Sequence, residues 1–188
     1  MYKFWFLTLI FPLIIIPSRA QTLPNKFNVI AGFEFLHSTH ATNFKGFSLA
    51  FNKRFGNIFE GGVGFEYSHC KYHDDNGFNL YNLKLMPIFF TQQFYFLRKN
   101  KLETFFHLRE GLSFTGYDKE PQDNPGLREH VNETGFYGYA GLGAEYPLTG
   151  NLNVFLEPGI KSFHISANNL DINPHGFNLI SGLKYSIR

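Results

Sequence analysis

Two side chains near the C-terminus, His164 and Ser166, have the types and spacing for nucleophilic chemistry. They fall in FHISANNLDINPHGF, residues 163–177. If this stretch is extended, side chains two residues apart share a face and stand about 6–7 Å from one another. An imidazole there can take the hydroxyl proton, and the alkoxide can attack an ester carbonyl. Asparagines follow at 168, 169 and 173, and a Pro-His-Gly turn leads to Asn178. Amides of this kind can support developing negative charge. The plainer reading is a strand that turns polar where it leaves a membrane, with His164 and Ser166 meeting headgroups.

The elements that would position this pair are strands. NVFLEPGIKSF sets Val154, Leu156, Pro158 and Ile160 against Asn153, Phe155, Glu157, Gly159 and Lys161. GFSLAFNKRF and FEGGVGFEYSH alternate in the same way, and period two is the signature of a strand with two unlike faces. Eight strands are predicted, at about 26–37, 44–55, 58–72, 78–96, 102–117, 135–148, 152–166 and 176–187. The connections GN, LRKNK and TGN are short, and those between them are long and polar. Short turns at one end and long loops at the other predict an all-β, eight-stranded antiparallel transmembrane barrel of the bacterial outer membrane.

In such a barrel the apolar face meets lipid and the small and charged face points inward. The expected interior braces are Glu34, Glu66, Lys84, Arg109, Glu157 and Lys161, with His107 beside Arg109 on the same inner face. Eight strands enclose only side chains, so no diffusion pore is expected. Tyr67, Tyr95, Tyr117, Tyr137, Tyr146 and Tyr185 fall towards strand ends, where interface girdles form. Pro87 and Pro158 are expected on the outer face, where each removes a ladder donor. Continuing the outer parity of the seventh strand puts Ser162, His164 and Ser166 on the lipid side.

The ends of the chain and its charge fit this frame. MYKFWFLTLIFPLIIIPSRA has one early lysine, an apolar run from Phe4 to Ile16, and small residues at Ser18 and Ala20. Residues 1–20 therefore read as a secretory signal peptide and residues 21–188 as the barrel domain. Of 17 basic residues, Lys3 and Arg19 leave with the leader, and the remaining 15 face 15 acidic ones. That balance offers no electrostatic footprint for nucleic acid. Cys70 is the only cysteine, so no disulfide forms within the chain. His37, His40, His69 and His73 lie near loop ends without the spacing of a metal-ligand set, and no metal is expected. The segment 118–134 carries charge and two prolines and could meet a partner or cover headgroups.

HIS with its following asparagines, then NPHGFN leading into LISGLKYS, resembles the C-terminal signature of the lipid A 3-O-deacylases, grouped with acyloxyacyl hydrolase-type proteins. The resemblance implies an outer-membrane esterase that works without cofactor on lipid A or lipopolysaccharide of the outer leaflet, and it leaves room for a homodimer. It implies His164 as general base and Ser166 as nucleophile. Asn168 or Asn173 would then support the loop or an oxyanion. The family's third member, a glutamate early in the last strand, falls nearest Asn178. Simple alternation turns Asn178 inward, so a bulge near Gly176 would have to re-aim it, or His175 or Asp171 would serve instead. A second resemblance competes. YNLKLMPIFFTQQFYF and GLGAEYPLTGNLNVFLEPG are similar to porin-like outer-membrane barrels, which implies a structural or adhesive protein with no enzymatic activity.

Overall fold

The structure, a computed structural model, describes residues 26–39, 42–75, 77–165 and 173–187. The signal-peptide assignment lies outside these residues. The strands are β1 (Lys26–Ser38), β2 (Asn43–Phe55), β3 (Phe59–Asp75), β4 (Phe78–Lys99), β5 (Leu102–Pro121), β6 (Glu129–Pro147), β7 (Leu152–His164) and β8 (His175–Ile187). Each pairs antiparallel with the next, and β8 pairs back onto β1 to close the barrel, with Phe27 opposite Ile187 and Ser38 opposite Gly176. Closure leaves no strand edge, the condition for backbone to cross a bilayer as a sheet.

The alternation of the sequence is the alternation of the wall. Phe33, Phe47, Val63, Ile88, Phe90, Leu142 and Ile160 stand exposed on the outside. Glu34, Glu66, Arg109, Glu157 and Lys161 are buried inside, as expected. Arg109 Nη1 donates to Glu34 Oε1 at 2.7 Å, and Lys161 Nζ donates to Glu66 Oε1 at 2.8 Å and also to Glu34. His107 Nδ1 meets Glu157 Oε1 at 2.7 Å, while its Nε2 is 2.7 Å from Thr91 Oγ1. A second cluster lies nearer the short turns, where Lys184 pairs with Glu60 and Glu145, both at 2.9 Å. Lone charges would be costly here, and pairing offsets part of that penalty.

The structure departs from the expected faces at several places. Lys84 points outward, not into the braces. Pro87 is buried on the inner face, and the β3–β4 ladder is interrupted there, between Phe65↔Ile88 and Ser68↔Leu85. A residue without an N–H cannot continue the ladder, so the sheet opens locally. Pro158 is outward as expected, and the β6–β7 ladder likewise skips from Gly141↔Gly159 to Ala144↔Leu156. Tyr95, Tyr117 and Tyr137 face inward and are buried, whereas Tyr146 and Tyr185 are exposed on the outer wall. Towards the long loops, Leu36, Phe44, Leu80, Leu83, Leu85 and Phe163 fill the lumen as an apolar plug, joined by the free Cys70. Leu83 and Leu85 face inward while Met86, Ile88 and Phe90 face lipid, so this part of β4 is apolar on both faces.

The rim is stepped. β1, β2, β7 and β8 have 13 residues each, whereas β3 to β6 have 17, 22, 20 and 19. Most of segment 118–134 is therefore strand and not loop, since β5 runs to Pro121 and β6 starts at Glu129. Asn82, in the left-handed region at φ 55°, marks a bulge where the β4–β5 register slips between Tyr81 and Lys84. An asparagine tolerates that conformation at small cost.

Candidate functional site at the outer rim

His164 ends β7 with its side chain exposed on the outer wall, as strand parity requires. Across the β6–β7 pair it faces Phe136, and two residues before it on the same face stands Ser162. Ser162 in turn lies directly opposite His175, the first residue of β8. Ser166 and Asn168 lie outside the described residues. The strand expected to reach residue 166 ends at His164.

The other candidate partners are placed. Asn173 Oδ1 accepts from the Ile165 backbone N–H at 2.9 Å, which ties the two sides of the β7–β8 connection together. Asn178 is fully buried on the inner face, and its Nδ2 donates to Glu34 Oε2 at 3.4 Å. The wall separates it from His164, and β8 runs paired from Ser162↔His175 through Gly159↔Asn178 without a bulge. Asn178 is therefore not the third member of a set containing His164. Its role is in the interior brace.

His175 takes part in an arrangement that residue spacing alone does not show. Its Nδ1 lies 2.8 Å from the Asn173 carbonyl oxygen, and its Nε2 lies 3.1 Å from Thr39 Oγ1. A carbonyl only accepts, so in the neutral ring Nδ1 carries the hydrogen and Nε2 accepts from the Thr39 hydroxyl. The Thr39 backbone N–H also donates to the His175 carbonyl at 2.9 Å. The hint in the sequence was barrel closure, which forces the end of the first strand beside the start of the last.

The histidines near the loops divide. His37 and His69 sit on the outer face, with His37 Nδ1 2.7 Å from Asn43 Oδ1. His73 is buried, with its Nδ1 2.7 Å from Thr42 Oγ1. His40 lies outside the described residues. Among the described residues no group of three or more His, Cys, Asp or Glu side chains is arranged to hold a metal ion.

The raised rim is braced across its strands. His130 Nδ1 meets Asp118 Oδ1 at 2.7 Å, and Asn82 Nδ2 donates to Asp118 Oδ2 at 3.3 Å. These hydrogen bonds, His130 first, hold the Asp118 carboxyl below the usual aspartate range. Arg128 donates to Glu120 Oε2 at 3.0 Å and stacks over Tyr81 at 4.1 Å. Gln122 Nε2 reaches Asp74 Oδ1 at 2.7 Å.

No protein-family model and no curated protein sequence matches the chain. Its likeness is to solved barrels. A major outer membrane protein from Thermus thermophilus aligns with a TM-score of 0.61 and 14% identity, over 88% of this chain and 100% of that one. Neisserial surface protein A aligns at 0.52 and 16%, over 87% and 97%. The attachment invasion locus protein of Yersinia pestis aligns at 0.50 and 13%, over 87% and 97%. The apolar outer belt, the charged lumen and these likenesses agree, and the chain is an eight-stranded β-barrel of the bacterial outer membrane.

Proposed function

We propose that this protein is a non-enzymatic barrel that anchors in the outer membrane and displays the raised β3–β6 rim to partners outside the cell. The observation that carries this reading is the one-sided rim. β7 ends at His164 opposite Phe136, whereas β6 begins at Glu129, and β2 begins at Asn43, two residues before the Lys45↔His69 pair, whereas β3 runs on to Asp75. Ion pairs, a cation–π stack and side-chain amides hold that extension in one shape. A preorganised surface loses little entropy when a partner binds. The lumen beneath it is filled by braces and an apolar plug, which argues against a transport role. The likeness to known barrels is one of fold and lends no partner.

The test is the mass of lipid A extracted from cells that carry the inserted barrel. An unchanged mass is expected, and loss of an acyl chain would overturn the reading.

A second reading is a lipid A 3-O-deacylase-like ester hydrolase, with His164 as base, Ser166 as nucleophile and Asn173 or Asn168 in support. The outward His164 at the outer end of β7 favours it. The same measurement separates the two, because an enzyme removes one hydroxyacyl chain and loses that ability in Ser166→Ala and His164→Asn.

A further inference from the structure

On the far side of the ring from His164, the lipid-facing wall carries a row of basic side chains directly above an apolar depression. Lys45 on β2 lies opposite His69 on β3, and His69 lies opposite Lys84 on β4. All three point outward in the long-loop half of their strands. Two residues below each of them on the same face stand Phe47, Tyr67 and Met86, about 6–7 Å nearer the membrane centre. These three, with Phe65, Ile88 and Phe114, line a depression of about 620 Å³ in the outer wall. The depression opens where Pro87 interrupts the β3–β4 ladder, so its floor reaches between two strands. A smooth barrel wall offers a lipid chain no such recess.

Among the described residues no ion pair involves Lys45, His69 or Lys84. The neighbouring carboxylates are engaged elsewhere: Asp118 with His130 and Asn82, Asp74 with Gln122, and Glu110 with Gln92 further down the wall. Two lysines at a membrane boundary attract anionic lipid. A recess below them that takes an acyl chain converts this general attraction into a site for one molecule. We propose that the β2–β4 wall binds an anionic phosphorylated lipid of the outer leaflet, with its headgroup on Lys45, His69 and Lys84 and a chain in the recess at Pro87. The site centres on β3, four strands from β7 in the ring, and lies on the outward faces below the braces of the raised rim, so it rests on neither reading of the function.

Trp5 is the only tryptophan of the sequence, and a barrel prepared as residues 21–188 lacks it, so one introduced indole reports on one place. Phe65→Trp puts it in the recess, and Leu142→Trp puts it on β6 as a control. The full barrel would be refolded into phosphatidylcholine vesicles holding a fixed share of brominated lipid, either phosphatidic acid or phosphatidylcholine. Brominated phosphatidic acid is expected to quench the Phe65→Trp indole with an apparent preference on the order of fivefold or more. Little preference is expected at Leu142→Trp. Lys45→Gln with Lys84→Gln should abolish the preference, and Lys45→Arg with Lys84→Arg should keep it. Equal quenching by the two lipids at Phe65→Trp, or a preference that survives the Gln pair, would overturn the proposal. Both lysines are exposed, so neither pair of substitutions threatens folding.

Discussion

Lys161 and Glu66 meet at 2.8 Å across the lumen, from strands that stand four apart in the ring. The link spans the barrel as a strut, and Lys161 also engages Glu34, which Arg109 holds from another side. Removing the lysine leaves the buried Glu66 without its cationic partner. Lys161→Met is expected to destabilise the barrel by about 3–5 kcal/mol. Urea unfolding in vesicles would measure this, and adding Glu66→Gln should recover much of the loss.

Asn178 belongs to the same interior. Asn178→Ala removes one amide donor from Glu34 and is expected to cost about 1 kcal/mol. The thermal midpoint should fall modestly, and the lipid A mass should match that of the wild type in either case. A change in lipid A chemistry on this substitution would contradict the inward placement.

Thr39 and His175 close the seam between first and last strands at its outer end. Thr39→Val keeps the shape but removes the hydroxyl from the ring nitrogen. Hydrogen exchange at the outer end of the β1–β8 pair should quicken, while exchange near Phe27 and Ile187 stays slow. Uniform exchange across the whole pair would show that the side-chain link does not hold the seam.

The Asp118–His130 pair makes the raised rim sensitive to acid. The carboxyl is held below the usual aspartate value of about 3.9, so its contribution is present above that value and is lost as pH falls through the depressed one. His130→Ala should move the Asp118 titration upward towards the usual range. Carbon-detected NMR of the carboxyl would follow it, and an unmoved titration would show that the histidine is not the cause.

Asn100, at φ 57°, turns the chain between β4 and β5. Asn100→Gly should be nearly neutral, and Asn100→Ala should cost about 1 kcal/mol because a Cβ without a local polar group disfavours that backbone. Denaturant midpoints of the two variants would show the ordering.

Strand parity carried much of the fold. Val154, Leu156 and Ile160 against Glu157 and Lys161 already assigned the inside and outside of β7. It failed where its assumption failed. Near the outer mouth the lumen is apolar, so the inward Leu83 and Leu85 are as apolar as the lipid-facing Met86 and Ile88. Pattern alone could not phase that run, and Lys84 and Pro87 were put on the wrong sides. Tyr95 and Tyr137 were misplaced for a related reason, since a phenol also serves as an interior donor: Tyr95 Oη donates to Glu60 and Tyr137 Oη to Glu66. At the rim, parity placed His164 outward and Asn178 inward. The Thr39–His175 contact joins residues 136 positions apart, so it needed the closed ring to be seen.

The buried thiol of Cys70 gives the molecule a clock. Its sulfur donates to the Tyr72 carbonyl at 3.0 Å and sits against the apolar plug, behind the wall formed by β3. The residue also lines a depression of about 630 Å³ at the outer ends of β2 and β3, so a water-soluble alkylating reagent enters from that side and reaches the sulfur as the plug residues around it give way. As the chain holds no other cysteine, each labelled molecule records one such opening, and the rate of labelling measures how often the outer mouth comes apart while the rest of the barrel stays in the bilayer.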